Sequence, residues 1–124
     1  MKPKFKPGKN IAMKVPTHEY EATVSFYRDL LGFQEIPVKA KDQDHTIRFQ
    51  FGEKVLWVDK VPSISQAETW FEIVTDDVEG ASDYLTNHGC SRRDEIEPLP
   101  DDFDGFWISS PSNIIHLVTK PENT

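Results

Sequence analysis

Residues 10–15, NIAMKV, alternate, with Ile11, Met13 and Val15 on one face and Asn10, Ala12 and Lys14 on the other. That is the period of a strand with one buried face. From residue 16 the period lengthens, and Tyr20, Val24, Tyr27 and Leu31 recur at helical spacing. Thr17 is the predicted N-cap, with Glu19 and Glu21 in the first turn at the positive end of the helix dipole. Gly32 is the predicted stop, where a positive φ is needed. Strands are predicted at 34–40, 45–51 and 54–60, and a turn at 62–66, PSISQ.

The order then repeats. In 69–75, TWFEIVT, Phe71 and Ile73 alternate with Trp70, Glu72 and Val74. Asp76 with Glu79 reads as a capping box for a helix that carries Val78, Ala81 and Leu85 and ends at Gly89. Three strands follow, at 91–97, 105–110 and 113–119. The chain is therefore strand–helix–three strands, twice. Module one spans 9–61 and module two 68–120, within one domain of residues 1–124; residues 1–8 form a solvated, flexible, lysine-rich arm. Asn10 maps onto Trp70 at an offset of 60 and Trp57 onto His116 at 59. Each module has a helix on one sheet face, so the other face must be covered by the second module, a second subunit or a ligand.

Strand parity sorts side chains onto the face away from the helices: Asn10, Ala12 and Lys14; Val55, Trp57 and Asp59; Trp70, Glu72 and Val74; Ile114, His116 and Val118. Phe106 and Trp107 point opposite ways, so one of them lines that face. Phe103, in the turn DDFDGF, is placed to lie over its mouth.

Charge narrows the partners. The net charge is -7 and the pI about 5.0, which argues against a nucleic-acid polyanion. No apolar run is long enough for a membrane span, so no membrane partner is expected. Cys90 is the lone cysteine. No intramolecular disulfide is possible, which points to a reducing, cytoplasmic setting. A catalytic role for Cys90 beside His88 is the weaker reading of this thiol. DDFDG lacks the spaced ligands of a calcium loop, and no phosphate loop or nucleophile elbow occurs.

Three stretches resemble the vicinal oxygen chelate superfamily, the group of glyoxalases, bleomycin-resistance proteins and extradiol dioxygenases. They are SFYRDLLGF (25–33), EIVTDDVEGASDYLTNHG (72–89) and DGFWISSPSNIIHLV (104–118). The resemblance implies an α+β fold of two βαβββ modules, their sheets curved around a central cavity and the helices outside. It implies that catalytic members hold a divalent metal there, with ligands from the first and last strands of each module. Carried over, those positions are Asn10, Trp57, Trp70 and His116. Indole is a donor only and Asn a weak neutral ligand, so metal-dependent chemistry is disfavoured and no metal or other cofactor is expected. It also implies a homodimer.

Two functions stay open, beside a blander third, an interaction or regulatory domain whose cavity is closed. In the first, a metal-independent protein binds an aromatic or cationic small molecule between Trp57 and Trp70, with Asn10, Lys14, Phe103, Trp107 and His116 as further contacts; the indoles could instead fill the space as core. In the second, an enzyme of the same fold uses His116 as acid or base, oriented by Glu72, or holds a metal. His116 could equally be a satisfied core histidine, and Glu72 a rim carboxylate paired with Lys14 or Arg48.

Overall fold

A computed structural model describes residues 2–121. The chain is α+β and carries the expected twofold βαβββ order, in two compact units. One is Lys9–Trp70; the other joins the residues before Lys9 to those from Phe71 onward.

In the first unit, strand β1 (Phe5–Val15, whose first four residues belong to the second unit) leads into α1 (Thr17–Ser25) and then a π-helical turn, Phe26–Leu30. β2 (Glu35–Ile36), a short 3-10 turn (Ala40–Asp42), β3 (Thr46–Phe51) and β4 (Lys54–Lys60) follow. The hydrogen-bonded order is β2-β3-β4-β1, with β1 parallel to β4. Val15, Phe49, Leu56 and Val58 pack under Tyr20 and Val24 of α1. Burying each such side chain contributes about 1.5–3 kcal/mol. The π turn explains why the helical pattern fails at its end. Leu31 N–H reaches back five residues to the Phe26 carbonyl, which adds a residue to that turn and shifts the phase. Tyr27 still meets the core, while Leu30 and Leu31 turn outward.

In the second unit, β5 (Glu68–Thr75, whose first three residues belong to the first unit) precedes α2 (Val78–Asn87). β6 (Ser91–Arg92), β7 (Gly105–Ser109) and β8 (Ile115–Thr119) complete it, in the order β5-β8-β7-β6. Ala81, Phe106, Ile108 and Val118 form its core.

Three local expectations shift. The N-cap of α1 is Pro16, not Thr17, and it caps without a side-chain bond. The N-cap of α2 is Asp77, not Asp76, and its Oδ1 accepts from Gly80 N–H at 3.0 Å. Asp76 instead accepts from the backbone N–H of Lys4 at 2.9 Å. The arm also differs: Phe5–Gly8 are strand, part of β1. Phe5 packs against the second core and lies 6.1 Å from the Tyr84 ring. Its apolar ring among lysines was the signal that this segment docks. Met1 lies outside the described residues. The stop glycines behave as expected, Gly32 at φ 72° and Gly89 at φ 89°.

Candidate functional site

In the first unit the face away from α1 is as the alternation predicts. β1 and β4 are in register with Asn10 opposite Val55, Ala12 opposite Trp57 and Lys14 opposite Asp59. β3 adds Thr46 opposite Asp59, Arg48 opposite Trp57 and Gln50 opposite Val55. Ile11, Met13, Leu56 and Val58 occupy the other face, against α1.

Two indole–cation units stand on this face. Lys14 is buried, 5% exposed, and its Nζ donates to Asp59 Oδ2 at 2.8 Å. Thr46 Oγ1 donates to the second Asp59 oxygen. The same ammonium lies 4.4 Å from the centre of the Trp70 ring, and Trp70 Nε1 donates to Glu68 Oε1 at 3.2 Å. Burial of a Lys is tolerable only with such partners. Asp59 also acts across the sheet: the Tyr20 phenol is pushed up, first by burial and then by the charge of Asp59.

The second indole–cation pair is Trp57 with Arg48. The half-buried Trp57 donates its Nε1–H to Asn10 Oδ1 at 2.9 Å. The Arg48 guanidinium lies 5.1 Å from the Trp57 ring centre. Arg48 Nε and Nη2 both donate to the Pro37 carbonyl, at 3.1 and 2.6 Å. Pro37 and Thr46 also line a groove of about 370 Å³, together with Glu35, Val38, Gln43 and Ile47. Arg48 and Asp59 carry more of this site than the sequence reading assigned them. The signal was present: Thr46, Arg48 and Gln50 alternate in TIRFQF.

His116 is not where strand parity put it. β8 pairs with β5 as Phe71 to His116, Glu72 to Leu117 and Ile73 to Val118. Paired residues share a face, so His116 lies with Phe71, Ile73 and Val118 on the α2 side. Its ring is 5.6 Å from that of Phe71, and its Nδ1–H donates to the Ile114 carbonyl at 3.0 Å. Val118 is core, not lining. Glu72 lies on the opposite face with Leu117, so it does not orient His116. Its side chain packs where Gly8 leaves room: a Cβ there would sit 2.3 Å from Glu72 Oε1.

The register also corrects the repeat. Ala12–Trp57 in the first module corresponds to Glu72–Leu117 in the second, both members 60 positions further on. The counterpart of Trp57 is thus Leu117, and the counterpart of Leu56 is His116. The four positions that the resemblance equates with metal ligands become Asn10, Trp57, Trp70 and Leu117. Asn10 already accepts from Trp57, indole has no lone pair to give, and leucine has no donor atom. This set does not fit a divalent metal. Among the described residues no group of three or more His, Cys, Asp or Glu is arranged to hold one.

The remaining candidates separate. Trp107 shares the face of Leu117, is buried, and donates Nε1–H to the Glu97 carbonyl at 2.9 Å. Phe106 faces α2. Phe103 packs on the start of its own hairpin, where a Cβ at Gly105 would meet its Cε2 at 2.5 Å. Cys90 is half-buried and its N–H closes the end of α2 on the Leu85 carbonyl at 3.0 Å. It lines a groove of about 350 Å³ with His88, Arg93, Ser109 and Asn113.

The strand order and the two-module repeat define the fold class, that of the extradiol dioxygenases. Homoprotocatechuate 2,3-dioxygenase from Arthrobacter globiformis matches at 18% identity and a TM-score of 0.63, over 98% of this chain and 38% of that one. A variant of the same enzyme from B. fuscum matches at 17% identity and a TM-score of 0.64, over 98% of this chain and 34% of that one. A hypothetical protein from Bacillus halodurans C-125 matches at 12% identity and a TM-score of 0.65, over 97% and 96% of the two chains. The chain therefore spans about a third of the length of these dioxygenases. No protein-family model matches the sequence, and no curated protein does.

Proposed function

We propose that this protein is a metal-independent, small-molecule-binding member of the glyoxalase, bleomycin-resistance and dioxygenase superfamily. It holds an aromatic compound against Trp57, on the sheet face away from α1. The observation that carries this reading is the Trp57 indole itself. It is half-buried, fixed in orientation by Asn10 and backed by a guanidinium, at a position that the resemblance equates with a metal ligand of catalytic members. A ring stacked there gains about 0.5–1.5 kcal/mol beyond burial. One structural neighbour, the Brevibacterium fuscum dioxygenase, is known in complex with 3,4-dihydroxyphenylacetate, an aromatic acid.

A cationic ligand between the two indoles is less well supported. The chain's own Lys14 and Arg48 already lie over Trp70 and Trp57. Acid–base catalysis by a Glu72–His116 pair lacks its geometry. No described helix is long and apolar enough to cross a membrane. The single thiol supports a reducing, cytoplasmic setting.

The test is tryptophan fluorescence with a panel of aromatic acids, phenols and amines, repeated on Trp57→Phe. A saturable change lost in that variant is expected. A flat response to the whole panel, or one that survives Trp57→Phe unchanged, rejects the proposal. Elemental analysis of protein purified without chelator should return less than stoichiometric transition metal; one metal per chain rejects metal independence. Exposed Phe26, Leu30 and Leu31 on the first unit favour a homodimer, since contiguous apolar surface marks association sites. Sedimentation equilibrium at tens of micromolar should give twice the 14.3 kDa chain mass, and a monomer mass refutes this.

A further inference from the structure

Arg48 differs from the other arginines of this protein. Arg28 pairs with Asp29 at 3.0 Å, Arg92 with Asp94 at 2.7 Å and Arg93 with Glu95 at 2.7 Å. Arg48 makes no such pair with any described residue, although the chain carries 21 acidic residues. Its Nε and Nη2 are spent on the Pro37 carbonyl, a neutral acceptor. Nη1 makes no hydrogen bond to any described residue. The group is nonetheless held. Pro37 fixes one edge, the Trp57 ring lies against its face, and Asn10 fixes that ring in turn.

A guanidinium on a flexible surface stem would be fully hydrated and mobile. This one is half-buried, oriented and not neutralised. Its remaining N–H groups form a planar fork, the geometry that matches two oxygens of a carboxylate or another oxyanion. The Asp59 carboxylate on the same face does not compete for that role. It lies two positions along β4 from Trp57 and is taken up by Lys14 and Thr46. Glu35, which lines the adjoining groove, would repel an anion that strayed there, leaving the Trp57 side.

We infer that the ligand of this face is a planar anion, its oxyanion paired to the Arg48 guanidinium and its ring laid against Trp57. This rests on the small-molecule reading above and reverses the sign of charge that the sequence suggested. Lys14 is not the anchor, because its ammonium is buried and already paired. The overall charge of -7 would oppose a multiply charged ligand, so a monoanion fits best.

Three probes of one shape test it: 2-naphthoate, 2-naphthamide and 2-naphthylmethylammonium, titrated into the full chain and followed by the Arg48 Nε–H and Trp57 Nε1–H resonances. Naphthoate should shift both, with affinity about tenfold or more above the amide. Arg48→Gln should remove that preference, and Arg48→Lys should keep part of it. Equal or tighter binding of the amide or the ammonium, or a preference that persists in Arg48→Gln, overturns the anion assignment and leaves the small-molecule reading standing. Silence of all three probes at Trp57 overturns both. The wild-type comparison needs no variant, so a folding defect in Arg48→Gln cannot mask the result.

Discussion

At the scale of single residues, Lys14 and His116 exchange importance. Lys14 looked like one polar residue of an alternating strand, yet it is the buried cation of the first unit. Lys14→Met removes the partner of Asp59, whose side chain is only 19% exposed. Breaking a buried pair from one side costs about 3–5 kcal/mol when burial is complete. With Asp59 at the edge of solvent, and Thr46 still donating, about 2–3 kcal/mol is the expected loss in urea denaturation. Lys14→Met with Asp59→Leu should recover much of it, because no charge is then stranded. A single variant as stable as wild type would refute the role. His116 is the opposite case. As the counterpart of Leu56 it sits on the helix side of its sheet, so His116→Leu should leave aromatic-ligand binding unchanged and stability equal or slightly higher. A loss of ligand response in that variant would restore the histidine to the site.

At the scale of elements, the two modules were legible because each switches period from two to 3.6 and back. Stop glycines and acidic first turns mark the helix ends. The caps were missed by one residue each way, since Pro16 and Asp77 neighbour equally plausible residues. The face of β8 was not legible for a physical reason. In IIHLV, Ile114, Ile115, Leu117 and Val118 are apolar on both faces, so alternation cannot choose a register. Only pairing with β5 decides it. On the first unit Asn10 and Lys14 alternate with Ile11, Met13 and Val15, and there the face away from α1 was read correctly. The short β6 was overextended because the charge alternation of SRRDEIE looks like a strand, and β2 was overextended past Pro37, which has no N–H to give a ladder. The corrected cap gives an element-level expectation. Asp77→Ala should cost about 1 kcal/mol, mostly as fraying of α2, visible as faster amide exchange at Gly80. Asp76→Ala should leave that amide protected and instead loosen Lys4. Swapped effects would return the cap to Asp76.

At the scale of the whole molecule, stability against pH joins these local charges. Asp29, Asp44 and Glu95 are held below the usual carboxylate range by hydrogen bonds from Arg28, His45 and Arg93 respectively. A lowered folded pKa gives stability that is present above the unfolded value and fades as pH falls. These groups are fully exposed, so salt should erase most of that acid-side slope. The alkaline side has a different origin. Tyr20 is raised from 10.0 by burial, then by Asp59, Glu35 and Asp44. The unfolded chain therefore loses this proton first, and stability falls as pH rises past about 10. Because the main cause is burial of this α1 ring against the sheet, salt should barely change it. Tyr20→Phe keeps the ring against Val24 and Phe49 and removes the titration. Equilibrium unfolding between pH 8 and 11 should then show a flatter decline than wild type, at low and high salt alike. Parallel declines in the two proteins would refute the role of Tyr20.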